Sequence, residues 1–293
     1  MIADVRRAVT RAPLVALLLS GVGLVATEGG AWVVAERFRN DLERLDGRSL
    51  AEKRREYDEI RAWGVLDTGL HLRVHGALRR RLVGLADTVI ADYRRDDPSM
   101  SASEWRQARD AVRWAMDLSR GSDRLRARQL LCEAHLARFA ARDQRRGTEA
   151  SRQAYQLAID RFQEAARLDD ASFDPYLGIS NVRSYGLDQV DLAGTAIEEA
   201  EKRGYAPGRR ERAQLGDGYL RRADRSRRRA RGLDDEHRRL ELEKARADYE
   251  RCVERFESIR GFAKAAVNLA YCKVNMERVT SELAFESDMQ WVQ

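Results

Sequence analysis

The chain has 293 residues, 54 Lys+Arg against 48 Asp+Glu, 43% hydrophobic and 7% aromatic residues, and only 4 Pro. Such a length makes one or two domains with a real core, and usage rich in Ala, Leu, Arg and Glu points to helices. Composition excludes a collagen, a disulfide scaffold and a polytopic membrane protein, and argues against an all-β fold.

The net charge of +6 is a weak signal of a partner. Five of the basic residues are lysines (Lys53, Lys202, Lys244, Lys264 and Lys273), so the other 49 are arginines. Arg- and Ala-rich usage often follows a G+C-rich genome. With so many acids present, the charge predicts a solvated, salt-bridged surface. RNP-like aromatics and zinc-finger spacings are missing, so nucleic acid is not an expected partner.

The N-terminus reads as a membrane segment. Residues 1–12 carry Arg6, Arg7 and Arg11, and an apolar run follows from Pro13 to Thr27. Glu28 interrupts it, and Gly29 to Ala35 resumes it. A span needs about 20 residues, so residues 13–35 suffice if Glu28 sits toward one interface and Trp32 serves as a belt residue. A cleaved signal peptide, ending at Val33-Val34-Ala35, and a buried soluble helix are the competing readings. Counting Lys and Arg alone, the two flanks nearly tie. The net balance puts the short tail inside and the bulk outside the cytoplasm.

Residues 36–77 read as a charged helical stalk. Ser49-Leu50-Ala51-Glu52 is a capping-box pattern that opens a helix through about Trp63. Asp67, His71 and His75 are spaced by four, which stacks them on one helix face. A third and fourth metal ligand are missing, and a solvated helix explains them better. No metal site is expected.

From about residue 78 a pattern recurs on the second helices of hairpins: a small residue, a larger apolar one four later, a small one three after that. It runs Ala108, Val112, Ala115; Ala158, Phe162, Ala165; Ala193, Ile197, Ala200; and Ala245, Tyr249, Cys252. Offsets of 0, 4 and 7 share one helix face. The partner helices carry Leu-Gly-x-x-Tyr: fully in Leu215, Gly216 and Tyr219, by half in Leu177-Gly178, and weakly in Leu131-Cys132 and Leu269-Ala270. A small residue there lets two helices approach closely.

On these residues the chain resembles the tetratricopeptide repeat (TPR) family over about residues 78–285. The resemblance implies an all-α fold, an α-solenoid of about four hairpins. Those at 78–119, 123–168 and 210–256 depart from the 34-residue family repeat by roughly 12–17 extra residues. The hairpin at 174–204 is near the family length. Phe262 to about Phe285 reads as a polar closing helix, and residues 286–293 as a frayed tail.

No nucleophile elbow, phosphate loop, dinucleotide motif or kinase signature appears, so no enzyme and no cofactor is expected. Asp169-Asp170 and Asp234-Asp235 are explained by helix capping. Cys252 and Cys272 flank a turn on adjacent helices; a bridge is conceivable, but two small core residues is the preferred reading. The basic patch Arg221, Arg222, Arg225, Arg227, Arg228, Arg229 and Arg231 reads as a solvated extension paired to Asp234-Asp235-Glu236. Contact with anionic lipid or an envelope polymer is the alternative.

The resemblance implies a scaffold that holds a protein or peptide partner in a groove. Family-inward positions, two and six residues after the Leu of each first helix, give Glu133, Arg183, Asp217, Arg221 and Tyr271, with Gln129 as a further candidate. The expectation is a single-pass protein of a bacterial inner membrane, contacting the bilayer through residues 13–35. The repeat domain then faces the periplasm. A cytoplasm-facing adaptor and a secreted protein with a cleaved signal are the alternatives. Oligomeric state is left open.

Overall fold

A computed structural model describes residues 29–30, 32–63, 73–119 and 121–290, without the side chains of residues 263, 264 and 286–290. Among the described residues the chain is all helix, with no strand. Helix α1 covers residues 32–41, followed by a 3-10 turn at Leu42–Arg44. Then come α2 (Leu50–Trp63), α3 (His75–Tyr93), α4 (Ala102–Asp117), α5 (Asp123–Asp143) and α6 (Glu149–Leu168). The remainder is α7 (Asp174–Asn181) with a π turn at Val182–Gly186, α8 (Val190–Glu201), α9 (Arg209–Ala230), α10 (Asp235–Glu257) and α11 (Ala263–Gln290).

The chain divides into two units. One holds residues up to Thr88 plus Gln107–Ser122, the other Val89–Arg106 plus Asp123 onward. The boundary expected between residues 77 and 78 coincides with neither division, and the loop end of the α3–α4 hairpin belongs to the second unit.

In the first unit, the segment expected to be a charged stalk contributes a core. Ala35, Phe38, Leu42 and Leu45 are buried at near-helical spacing, and Leu50, Tyr57 and Ile60 are buried along α2. Charged residues dominate the composition of 36–77, but they sit on the complementary faces. The helix expected from Leu50 to Trp63 is present, yet the Ser49 hydroxyl donates to Asp46 Oδ1 at 2.9 Å, and Asp46 organises the turn before the helix. Of the expected membrane segment, residues 13–28 and 31 lie outside the described residues, as do Asp67 and His71. No described helix is long and apolar enough to cross a membrane. Val33, at 65% exposure, lies beside exposed Trp32 and Val34 at the start of α1.

In the second unit the helices pair in chain order. α5 packs on α6, α7 on α8, α9 on α10 and α10 on α11, while α6 also meets α7 and α8 meets α9. These pairs match the hairpins read from the small-apolar-small pattern. All nine residues of its last three copies are buried, from Ala158 to Cys252, and Ala108, Val112 and Ala115 are likewise buried in the first unit. The extra residues of the long hairpins lie in the helices: α5 and α6 have 21 and 20 residues, α9 and α10 have 22 and 23. Local caps set the starts. Thr148 accepts from Ser151 N at α6, and Asp234 accepts from His237 N at α10. Asp169 instead sits at the C-terminal end of α6, so capping of an N-terminus does not explain it.

Two glycines of the partner-helix pattern are close-contact positions, with different neighbours. A Cβ on Gly178 would lie 2.2 Å from Phe162 Cζ on α6, the preceding hairpin. A Cβ on Gly216 would lie 2.8 Å from Phe256 Cε2 on α10, its own hairpin. The weaker copy fails in the last helix: Ala270 is exposed, and α11 buries Ala265, Cys272 and Val279 instead. Cys272 forms a disulfide with Cys252 of α10, across Cα atoms 6.3 Å apart. The preferred reading of two unlinked core thiols is therefore corrected. Both are fully buried core residues, and the antiparallel α10–α11 pair brings them face to face. α11 continues to Gln290, so residues 286–290 are helical; 291–293 lie outside the described residues.

The glycine contacts rank three substitutions. Gly178→Ala should destabilise by about 1–3 kcal/mol, since a fully buried ring must move. Gly216→Ala should cost less. Gly194→Ala, in α8 with nothing within 4 Å of its added methyl, should stabilise by about 0.5–1 kcal/mol. Urea unfolding of the three variants checks the order, and equal effects would count against these helix contacts.

Candidate functional site

The first helices of the second unit share a polar face. α5 touches α7, the π turn touches α9, and α9 touches α11. Side-chain hydrogen bonds cross these contacts. Arg138 donates to Asn181 Oδ1 at 3.3 Å, and Asn181 Nδ2 donates to Gln214 Oε1 at 3.3 Å. The Tyr185 hydroxyl donates to Asp217 at 2.9 Å, and Asn268 donates to the other Asp217 oxygen at 2.8 Å. Arg221 donates to the Ser184 carbonyl at 2.7 Å and to Asp188 at 3.1 Å, and its guanidinium lies 5.1 Å from the Tyr185 ring. Further along, Arg227 bonds Asn275. Asp224 takes the Tyr249 hydroxyl at 2.6 Å and the Tyr271 hydroxyl at 3.5 Å.

Electrostatics along this lane follow from partial burial. Burial raises the Asp217 pKa, against the opposing pull of Tyr185, Arg221 and Asn268. The Tyr185 phenol is pushed up by burial and by the Asp217 charge, so it stays a donor. Tyr185 and Tyr271 nevertheless stay 38% and 46% exposed. The lane therefore presents fixed hydrogen-bonding groups and two partly exposed tyrosines.

Of the six expected groove residues, the structure brings three into this lane: Asp217, Arg221 and Tyr271. Gln129 is buried and bonds Arg126 and Glu133, while Glu133 approaches Arg161 of α6 at 3.9 Å, so both serve the α5–α6 hairpin. Arg183 bonds Gln189 and lines a recess with Gln163, Tyr176 and Leu192 between α6, α7 and α8. The π turn is the reason. Its wider winding carries Arg183 away and gives the lane position to Tyr185, two residues later. Sequence reasoning missed Asn181 and Tyr185, because a π turn leaves no periodicity signal in eight residues of helix, and it missed Asn268, which lies one residue before the Leu269 used to set the register of α11.

The arginine run is taken apart by its neighbours. Arg222 forks onto Asp248 with two 2.7 Å bonds and also meets Asp191 on α8. Arg221 and Arg225 both pair with Asp188. The expected partners Asp234, Asp235 and Glu236 are not the ones used; Asp234 caps α10 and holds His237. Arg228, Arg229 and Arg231 remain exposed. Among the described residues no cluster of His, Cys, Asp and Glu has the makings of a metal site.

Beneath the lane lies an aromatic box around His135. The imidazole stacks on Trp105 at 3.9 Å between ring centroids, with Tyr93 at 4.2 Å and Phe162 at 5.0 Å edge-on. Neither ring nitrogen has a hydrogen-bond partner. Burial above all, then the charges of Arg138 and Arg210, holds its pKa well below the usual histidine value. No family model, no curated protein and no solved structure matches this chain.

The neutral His135 predicts acid sensitivity. An unfolded chain takes up its proton as pH falls through about 6.5, and the folded chain does not. The contribution is fully present above that pH and is lost on acidification, by at most about 1.4 kcal/mol per pH unit. The exposed His237 has the opposite sign, since Asp234 raises its pKa. His135→Phe should therefore flatten the loss of stability between pH 6.5 and 5 while leaving the His237 contribution in place. Urea midpoints at both pH values, in parent and variant, measure it; an unchanged slope would mean His135 titrates normally.

Proposed function

We propose that the protein is a membrane-anchored, TPR-like scaffold whose hairpins form an α-solenoid and whose first helices line a groove for a protein or peptide partner. The observation that carries this reading is the lane itself. Polar side chains of α5, α7, α9 and α11 tie successive first helices together while leaving Tyr185 and Tyr271 partly exposed. Small residues at the buried positions of successive hairpins support the repeat reading. Rigid elements with rings and fixed donors suit extended peptide capture better than catalysis, which needs a perturbed nucleophile or base in a cleft.

Residues 13–35 remain the proposed bilayer anchor, on the sequence argument alone, with the repeat domain in the periplasm. The Cys252–Cys272 disulfide supports that side of the membrane, since such bonds persist in oxidising compartments. Cys132 is buried and stays outside the bond. The lipid-binding reading of residues 221–231 is weaker, because four of the seven arginines already have partners within the fold.

Three measurements test this reading. A photo-crosslinking side chain at position 185 or 271, in cells, should give a discrete adduct, whereas one at Leu157 or Arg246 on the second helices should not. Tyr271→Ala and Tyr185→Ala should each weaken capture of the adduct partner about tenfold, the usual loss for an aromatic anchor worth 1–2 kcal/mol. Equal labelling from both faces would remove the groove assignment. For the compartment, thiol trapping on intact cells followed by denaturation should reveal one thiol, Cys132. Three reactive thiols would put the domain on the reducing side.

A further inference from the structure

A pocket of about 410 Å³ opens between the end of α5, the start of α6 and the π turn, lined by Arg138, Phe139, Arg142, Arg146, Tyr155, Asn181 and Tyr185 among others. None of its lining residues is a carboxylate. Arg94, Arg222 and Arg225 meet carboxylates within the fold, and a pocket wall of arginines without one carries a charge cost.

Arg138 carries that cost most directly. It is half-buried, and its Nε–H is sealed from solvent with no acceptor. Its side-chain hydrogen bond goes to the neutral Asn181, and its guanidinium otherwise lies over the rings of Phe139 at 4.7 Å and Tyr93 at 5.5 Å. Burial, opposed by Tyr93 and reinforced by the charges of Arg142 and Arg210, lowers its pKa. Arg142 lies one helical turn on, 4.9 Å from the same Phe139 ring, with no carboxylate partner among the described residues. Arg146, at the mouth, is shared only loosely with Asp188 at 3.4 Å. The C-terminal end of α5 and the N-terminal end of α6 both border the pocket, so their dipoles offset, and the guanidinium groups dominate the field.

We propose that this pocket binds a phosphate monoester, with Arg138 and Arg142 forking onto the phosphoryl oxygens and Phe139 and Tyr155 against the group it esterifies. Two positive charges without an internal counter-ion, Arg138 and Arg142, suit a dianion, and planar guanidinium forks match phosphoryl oxygens in pairs. Tyr155 is anchored for this role: its ring packs where a Cβ on Gly186 would meet it at 2.8 Å, so the π turn and the pocket wall are fitted to each other. The site shares Arg138, Asn181 and Tyr185 with the polar lane, but a small anion occupies it without any protein partner, so its failure is distinguishable from that of the scaffold reading.

Calorimetric titration of the full-length protein at low salt tests the proposal, with phenyl phosphate, inorganic phosphate and acetate as probes. Phenyl phosphate should bind one per chain, more tightly than inorganic phosphate, and acetate at least tenfold more weakly than either. Arg142→Gln, on the exposed end of α5, should weaken phenyl phosphate binding at least tenfold with an unchanged melting curve. Arg138→Gln should do the same, and Arg228→Gln with Arg229→Gln should leave binding unaltered. Absence of saturable phosphate binding overturns the proposal. So does equal affinity for acetate, which would make the site a carboxylate site, or equal loss in the Arg228/Arg229 variant, which would reduce the effect to net charge.

Discussion

The second unit depends on the interlock of an aromatic ring with a glycine. Phe162 fills the space above Gly178, and Phe256 fills the space above Gly216. Each contact fixes how near two helices lie, and the buried Ala, Ile, Tyr and Cys positions of the neighbouring turns close around it. Close approach is worth little as a single dispersion contact and much as a constraint, since a packed interior tolerates few voids and little overpacking. The two glycines play the same part with different partners, one between hairpins and one within a hairpin. The Leu-Gly pattern thus marks close approach without specifying which helix approaches.

Much of the fold was legible for this reason. Small residues on a helix face at offsets of 0, 4 and 7 mean that a neighbour must come near, whatever else the sequence contains. The pattern located the helix pairs, and the length excess in the long hairpins resolves into longer helices. Three features were not legible. The π turn at Val182–Gly186 has no compositional mark, yet it decides that Tyr185 and not Arg183 joins Asp217. The buried face of residues 36–60 is hidden among charges because only every third or fourth residue is apolar. The disulfide joins two residues that equally well suited an apolar core, and only their facing positions on α10 and α11 distinguish a bond from a contact.

Charge was the feature most open to misreading. The densest run among the 49 arginines is largely structural. Arg222 between Asp248 and Asp191, and Arg221 and Arg225 on Asp188, join α8, α9, α10 and the π turn. A guanidinium fork suits this because it reaches two acceptors at once from a half-buried position. Density of a residue type in sequence therefore says little about availability, and in an arginine-rich chain it says least.

Availability is decided by the counter-ion. A guanidinium with a carboxylate at hydrogen-bond distance is already neutralised, and a ligand must displace that carboxylate to use it. One held over aromatic rings, bonded to a neutral amide and facing a second guanidinium has paid desolvation without that compensation. Arg138 is in that position, above a histidine that the same environment keeps neutral. The fold tolerates both through ring contacts with Tyr93, Phe139 and Trp105, which stabilise a cation or an imidazole without fixing an anion in place. An aromatic support of this kind compensates the charge without an anion. A cation held in this way beside Arg142, in a pocket whose lining holds no carboxylate, is what an anion at the end of α5 would meet.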